Sequence, residues 1–272
     1  MQLCKAELKQ ICGDYNITIR DLLLLLQHIL NTSYSKLFFS DLTHLSDMQY
    51  STLICYVNRR SNNEPISKII GYKYFYKNKF CTNKYTLDPR PETELIVELF
   101  TKYFINKNDN LKILDLGCGT GCIGLSILLL YKNAKLHLSD ISHNVLLVAE
   151  HNAKSLDLIN RCKLIESNWF EKIYDTYDAI VSNPPYICSN YNLDKEVLYD
   201  PPEALFAGED GMNAYNIILP NASEYLKNNG KLFIEIGYDQ SEKIQQIHSD
   251  LEVIEIAKDL NNINRVVLFN KK

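Results

Sequence analysis

The sequence predicts an α/β fold: a mostly parallel sheet covered by helices on both faces, preceded by a small helical bundle and a linking β-hairpin. Three observations carry this prediction. From Pro91 onward, short β-branched and aliphatic runs alternate with longer segments of helical period. A glycine-rich loop, residues 117–124, lies between the first of those runs and the helix that follows. Before residue 70 the apolar residues recur at helical spacing.

Taken in order, apolar clusters at helical spacing occupy 3–11, 17–30 and 45–57, separated by Gly13-Asp14, Asn31-Thr32-Ser33 and Ser61-Asn62-Asn63. Residues 1–69 therefore form the bundle. Between Gly71 and Leu87 aromatic and β-branched residues surround Asn-Lys turns, which makes 70–88 a linking hairpin. Residues 89–272 form the α/β unit. Pro91 suits the first turn of a helix running to about Ile105, with Glu92 and Glu94 at its positive end. Strand 111–116, helix 121–131, strand 134–139 and helix 143–156 follow, then strands 162–166 and 177–182. A long aperiodic stretch leads to helix 212–228, strand 231–237, helix 239–249 and two closing strands near 251–257 and 264–269. With no helix between them, that closing pair predicts an antiparallel edge.

Composition narrows the function. Hydrophobic content of 46% and charged content of 23% suit a soluble globular protein. The run LLLLLQHIL (22–30) is too short to span a bilayer, and Asp21 before it argues against an export signal. A cytoplasmic protein without membrane contact is expected, and a monomer. None of the eight cysteines forms a C-x-x-C pair and the six histidines are scattered, so no metal site and no histidine-based hydrolase is expected. Residues 1–88 carry 11 Lys/Arg against 7 Asp/Glu, a net +4, whereas 89–272 carry 18 against 26, a net −8. That split marks two units and argues against a sequence-nonspecific grip on nucleic acid by the larger one.

Two stretches carry chemistry. In ILDLGCGTGCIG (113–124), Gly119, Gly121 and Gly124 satisfy G-x-G-x-x-G, and Asp140 follows Gly121 by nineteen residues at the end of the second strand. A carboxylate there can accept both hydroxyls of a ribose, which fits a nicotinamide dehydrogenase as far as it goes. Asp115 inside the strand and the additional Gly117 point elsewhere: Asp-x-Gly-x-Gly-x-Gly resembles motif I of class I S-adenosylmethionine-dependent methyltransferases. Asp115 is expected to favour the cofactor's cation, directly or through water. Cys118 and Cys122 are read as structural.

The second stretch is YDAIVSNPPYICSN (177–190), where a buried strand ends in Asn183-Pro184-Pro185-Tyr186. Two prolines cannot donate to a ladder and lock φ, so the corner is stiff. Asn183 offers a side-chain carbonyl, the Pro184 carbonyl a second acceptor, and Tyr186 a flat stacking surface. Together they suit a planar NH₂ group. That group belongs to a carboxamide or to the exocyclic amine of adenine or cytosine in DNA or RNA, and this corner alone does not separate them.

The neighbouring text does. With EPISKIIGYKYFY (64–76), LDPRPETELIVE (87–98), SNWF (167–170), VSNPPYI (181–187) and DPPEALFAGEDGM (200–212), the chain resembles the release-factor glutamine methyltransferase family (PrmC/HemK) essentially end to end. The resemblance implies a Rossmann-like class I methyltransferase sheet of seven strands and S-adenosyl-L-methionine as cofactor, leaving as S-adenosyl-L-homocysteine. The implied substrate is the glutamine of the Gly-Gly-Gln loop of class I peptide chain release factors, with no direct DNA partner. It also implies roles: Gly117, Cys118, Gly119, Thr120 and Gly121 cradle the methionine portion, Asp140 the ribose, and Asn168 and Trp169 the adenine. Asn183 touches both cofactor and glutamine, and Pro184, Pro185 and Tyr186 shape the glutamine pocket, Asn183, Pro184 and Tyr186 being the catalytic set. Asn168 departs from the family's usual Asp, which implies a modest change in affinity. The positive charge and apolar helices of residues 1–69 are expected to form the surface that recognises the substrate protein. Arg90 and Glu92 match a family stretch, although helix capping explains the acids equally well, and Glu235 is either a polar sheet end or a group behind the site. Residues 189–211, with Asp200, Pro201, Pro202 and Glu203, are expected to border the substrate channel.

Overall fold

A computed structural model of the chain describes residues 2–272. They divide into two compact units, residues 2–72 with Leu193–Tyr199, and Lys73–Asn192 with Asp200–Lys272.

The first unit runs β1 (Gln2–Cys4), α1 (Lys5–Tyr15), α2 (Ile19–Leu30), α3 (Tyr34–Phe39), β2 (Leu42–His44), α4 (Asp47–Ser61) and α5 (Ile66–Ile70). Polar residues set the helix ends. The Thr18 hydroxyl accepts the Asp21 N–H, Ser46 and Gln49 form a reciprocal cap on α4, and Asn16 and Asn31 end α1 and α2 in the left-handed region. The central helix α2 buries Leu22, Leu23, Leu25 and Leu26 in one cluster with Leu53 and Val57 of α4. The short antiparallel pair β1–β2 departs from the all-helical expectation, because strands of three residues are too short for alternation to register. Leu193–Tyr199 is held within this unit by polar contacts. Arg60 bridges Asp21 at 3.0 Å and Glu196 at 2.5 Å, and the Tyr199 hydroxyl donates to the Asn62 carbonyl.

The hairpin β3 (Tyr72–Phe75) and β4 (Asn78–Cys81) turns through Tyr76 and Lys77, both at positive φ. The turn therefore falls immediately before the Asn78-Lys79 text that predicted it, which opens β4 instead. A 3₁₀ turn, Pro91–Thr93, then leads into α6 (Glu94–Tyr103). The sheet and its helices follow: β5 (Lys112–Leu116), α7 (Cys122–Leu130), β6 (Lys135–Asp140), α8 (His143–Ser155), β7 (Cys162–Glu166), β8 (Tyr177–Ser182), α9 (Asn213–Tyr225), β9 (Leu226–Glu235), α10 (Ser241–Gln245), β10 (Leu251–Lys258) and β11 (Asn264–Lys271).

Seven strands lie in the order β10-β11-β9-β8-β5-β6-β7, parallel from β7 through β9. The closing pair is antiparallel as expected, but β11 slots between β9 and β10 and β10 takes the edge. Alternate residues feed two cores. Ile113, Val181 and Phe233 pack with α6, α7 and α8, whereas Leu114, Ile180 and Leu232 pack with α9 and α10. Helix α9 stops at Tyr225 rather than continuing to 228, since Leu226 already pairs with Tyr177. The helix expected over 239–249 contracts to five residues.

Candidate active site

The glycine loop leaves β5 at Leu116. The Gly117 and Cys118 N–H groups both donate to the Ser139 carbonyl, at 2.8 and 2.9 Å, so the loop is fastened to the end of β6. Gly117, Gly119 and Gly121 all have positive φ. A Cβ on Gly119 would meet nothing within 4 Å, so its need for glycine is conformational and its backbone stands open to a ligand. Its N–H donates to Asp140 Oδ2 at 3.1 Å, while Asp140 Oδ1 accepts from the Ser142 N–H. Burial pushes the Asp140 carboxyl above its ordinary value, against the backbone donors of Ser142, Gly119 and Ile141 that pull it down.

Asp115 lies beneath the loop. It is wholly buried, its Oδ2 accepts the Gly124 N–H at 2.9 Å, and burial pushes its carboxyl to about 8. It secures the start of α7 from beneath, and it is not among the residues lining the cavity described below. Gly124 is the position where space decides: a Cβ there would sit 2.8 Å from Leu136 and 2.9 Å from Asp115. Cys118 and Cys122 are buried thiols whose ionisation is pushed up by burial, that of Cys122 to about 12.

Strand β8 lies beside β5, pairing Ala179 with Ile113 and Val181 with Asp115, and the Ser182 hydroxyl donates to the Leu116 carbonyl at 2.7 Å. This brings Asn183 out next to the glycine loop. Asn183 Nδ2 donates to Thr93 Oγ1 at 3.1 Å. Its Oδ1 is buried and has no hydrogen-bond partner. An unpartnered buried acceptor costs stability unless something else fills it. The turn itself is clamped by Gln240, whose Nε2 donates to the Tyr186 and Gly211 carbonyls at 2.9 and 3.2 Å. Beyond it, Ile187 exchanges backbone hydrogen bonds with Leu205 and Ala207.

These parts surround a cavity of about 600 Å³. Of the residues singled out by sequence, Gly117, Cys118, Gly119, Thr120, Asp140, Asn168, Trp169, Asn183 and Pro185 line it. Gly121, Pro184 and Tyr186 do not: Pro184 is buried, and Tyr186 is half-buried against the α9 side of the sheet. Trp169 sits at positive φ with its ring 3.6 Å from where a Gly117 Cβ would stand. Asn168 is exposed, and its Nδ2 donates to Glu171. Arg90 also lines the cavity and pairs at 2.5 Å with buried Asp200, whose other oxygen accepts the Asp88 N–H. Among the described residues no cluster of three or more His, Cys, Asp and Glu is placed to hold a metal.

Three residues escaped sequence reasoning. Thr93 holds the Asn183 amide, Gln240 clamps the turn, and buried Asn152 bonds both backbone groups of Cys81 and the Thr120 carbonyl.

Comparison with known proteins agrees with this geometry. Residues 87–208 match the family described as methyltransferase small domain, and residues 2–71 match the PrmC N-terminal domain. A release factor glutamine methyltransferase of Coxiella burnetii is 37% identical over 248 residues, covering 90% of this chain and 89% of that protein. One from Caulobacter vibrioides is 40% identical over 230 residues, covering 82% and 79%. A bifunctional methyltransferase of Rickettsia bellii is 36% identical over 275 residues, or 90% of this chain, yet the chain spans only about half the length of this and the other Rickettsia relatives (50% here). Among solved structures, a ribosomal protein L11 methylase of Lactobacillus delbrueckii shares the fold at a TM-score of 0.50 and 20% identity, covering 74% of this chain and 89% of that one.

Proposed function

This chain belongs to the release factor glutamine methyltransferase family, and from that premise we propose that it methylates the side-chain amide nitrogen of the glutamine in the Gly-Gly-Gln motif of class I peptide chain release factors. The observation that carries the reading is the buried, unpartnered Oδ1 of Asn183, held beside the glycine loop by a side chain whose nitrogen is already occupied.

The residues present fit S-adenosyl-L-methionine. Asp140 ends β6 with a carboxylate on the cavity wall, the open backbone at Gly119 admits close approach, and Trp169 offers a flat surface. The cavity volume falls within the range of about 300–1,000 Å³ usual for small-molecule sites. In this reading Gly117 to Thr120 hold the methionine portion, Asp140 the ribose, and Asn168 with Trp169 the adenine. When bound, the cofactor supplies a methyl carbon made electrophilic by its sulfonium.

A carboxamide nitrogen is a poor nucleophile because its lone pair is delocalised. In this reading Asn183 Oδ1 accepts one of its hydrogens, its own nitrogen being held by Thr93. Acceptors set off the amide plane turn the nitrogen towards a tetrahedral shape and aim its lone pair. Alignment rather than a strong base supplies most of the acceleration, and the proton leaves afterwards to solvent. Residues 1–69 recognise the body of the factor, and the exposed Phe38, Phe39 and Met48, at 53%, 78% and 82% accessibility, give that unit apolar contact surface.

The test is transfer of tritium from labelled cofactor to a release factor. Label is expected on a factor carrying Gly-Gly-Gln and none on one carrying Gly-Gly-Ala. Equal labelling of both, or labelling of an oligonucleotide in place of the factor, contradicts the reading.

A further inference from the structure

We propose that Arg90, aimed by Asp200, is a specificity residue that takes hold of the substrate's main chain, donating to a peptide carbonyl next to the target glutamine. The inference deepens the functional reading above and rests on it. A grip on an NH₂ group alone does not tell a glutamine within a protein from other carboxamides or from a nucleobase amine. A donor placed for the adjoining peptide carbonyl does.

Arg90 stands beside the corner that grips the amide. It caps the 3₁₀ turn Pro91–Thr93, and its carbonyl accepts the Thr93 N–H at 3.1 Å. Thr93 Oγ1 accepts the Asn183 amide at 3.1 Å, so Arg90 lies one turn of chain from the group that meets the substrate nitrogen. Both Arg90 and Asn183 line the cavity, and among the described residues that do so Arg90 is the only Lys, Arg or His.

Its guanidinium is held in place. Nη2 donates to Asp200 Oδ2 at 2.5 Å, while Asp200 Oδ1 accepts the Asp88 N–H at 3.1 Å. Asp88 accepts in turn from the Thr82 hydroxyl at 2.8 Å. Asp200, Asp88 and Thr82 are all buried, so the support is closed to water. The Arg90 side chain is not: 31% of it is exposed. A guanidinium has five N–H donors in one plane. Among the described residues the bond to Asp200 is its single hydrogen bond, which leaves four donors on a plane already fixed. Asp200 also opens the stretch whose Pro201, Glu203 and Phe206 line the cavity, so the pair joins two of its walls.

Charge decides what those donors take. Asp200 cancels the charge of Arg90, and Lys73 lies 3.9 Å from Asp88, so the four groups sum to zero. An incoming carboxylate would leave a net negative charge in a half-closed site. A neutral carbonyl leaves none, yet its hydrogen bond to a guanidinium is still charge-assisted. The glutamine's own side-chain carbonyl is the poorer acceptor, because drawing charge onto that oxygen deepens the delocalisation that disables the nitrogen. A main-chain carbonyl has no such penalty. Glycines before the glutamine suit it further, since a backbone without Cβ atoms can approach the fork closely.

The experiment compares wild type with Arg90→Met and Arg90→Lys on a Gly-Gly-Gln release factor, with Tm recorded for each. Arg90→Met is expected to raise KM for the factor about 10–100-fold, while kcat and the Kd of S-adenosyl-L-methionine stay within about threefold. Arg90→Lys, which still neutralises Asp200 but lacks the planar fork, keeps its Tm and a KM about fivefold or more above wild type. The carbonyl itself is tested with semisynthetic factors in which one glycine carbonyl at a time is replaced by a thiocarbonyl, a weaker acceptor. One of the two is expected to lose about fivefold in kcat/KM with wild type and to lose nothing further with Arg90→Met. A wild-type KM in Arg90→Met, full recovery of KM in Arg90→Lys, or additive losses with both thiocarbonyl factors overturns the proposal. So does a cofactor Kd raised tenfold or more with KM unchanged, which would give Arg90 to the cofactor's carboxylate. Should Arg90→Met fail to fold, Arg90→Lys with the thiocarbonyl factors decides. If wild type labels no factor at all, the functional reading falls and this inference with it; labelling with additive losses removes this inference alone.

Discussion

At the scale of single residues, the site is a set of hydrogen-bonding groups, some satisfied by the protein and some left for a ligand. Asn183 has its nitrogen occupied by Thr93 and its oxygen left over. Asp140 takes a backbone donor on each oxygen, and each carboxylate oxygen keeps room for another hydrogen. Asp140→Ala is expected to weaken S-adenosyl-L-methionine binding about tenfold or more, since two charge-assisted hydrogen bonds are lost. Calorimetry measures it, and an unchanged Kd contradicts the ribose assignment. Burial raises the Asp140 pKa, so its charged acceptor disappears at a higher pH than for an exposed aspartate. Cofactor affinity should therefore fall as the solution is acidified, before an ordinary carboxylate would protonate. That Asn183, Asp140, Gly117 and Gly119 would meet around one cavity was legible because each sits in a local pattern. Thr93, Asn152 and Gln240 were not, because the backbone and side-chain groups they hold lie 90, 71 and 54 residues away in the chain.

At the scale of elements, strand ends and helix starts place these groups. Ser182 ties β8 to β5, Ser139 ties β6 to the glycine loop, and Asp115 ties β5 to α7. Gly124 lets α7 pack down on β6. Gly124→Ala would force a methyl to 2.8 Å from Leu136. Overpacking of this kind costs about 1–3 kcal/mol, and differential scanning calorimetry should show a lower Tm. An unchanged Tm would mean the contact relaxes freely. Gln240→Leu leaves the Tyr186 and Gly211 carbonyls without their donor, at about 1–3 kcal/mol for a buried group left unsatisfied. Because it loosens the corner that carries Asn183, kcat should fall with Tm while the cofactor Kd holds. The long strands and α6 to α8 were readable from continuous apolar text and helical period. The β1–β2 pair, the early end of α9 and the placing of β11 inside β10 depend on partners distant in sequence, which periodicity does not record.

At the scale of the whole molecule, buried charge sets how stability responds to pH. Asp115 and Glu235 have folded-state values of about 8 and about 7, well above the ordinary carboxylate range. The folded chain keeps protons there that the unfolded chain has lost. Their contribution is fully present below the unfolded values and is lost as pH rises through the folded ones. His137, pushed down to about 4 by burial and by Lys112, works in the opposite sense, and its contribution is lost as pH falls below its ordinary value. Between about pH 6.5 and 8 the two acids outweigh the opposing tail of the His137 titration in the unfolded chain, so Tm should decline across that window. Asp115→Asn should flatten the decline, and a Tm that climbs there instead would contradict the burial assigned to both acids. The most direct measurement is the single-turnover rate of methyl transfer to a Gly-Gly-Gln release factor by Asn183→Ala at saturating S-adenosyl-L-methionine. A rate about 100-fold or more below wild type, with cofactor affinity held within about threefold, is the predicted result. A wild-type rate would contradict the assignment of Asn183 as the group that grips the substrate amide.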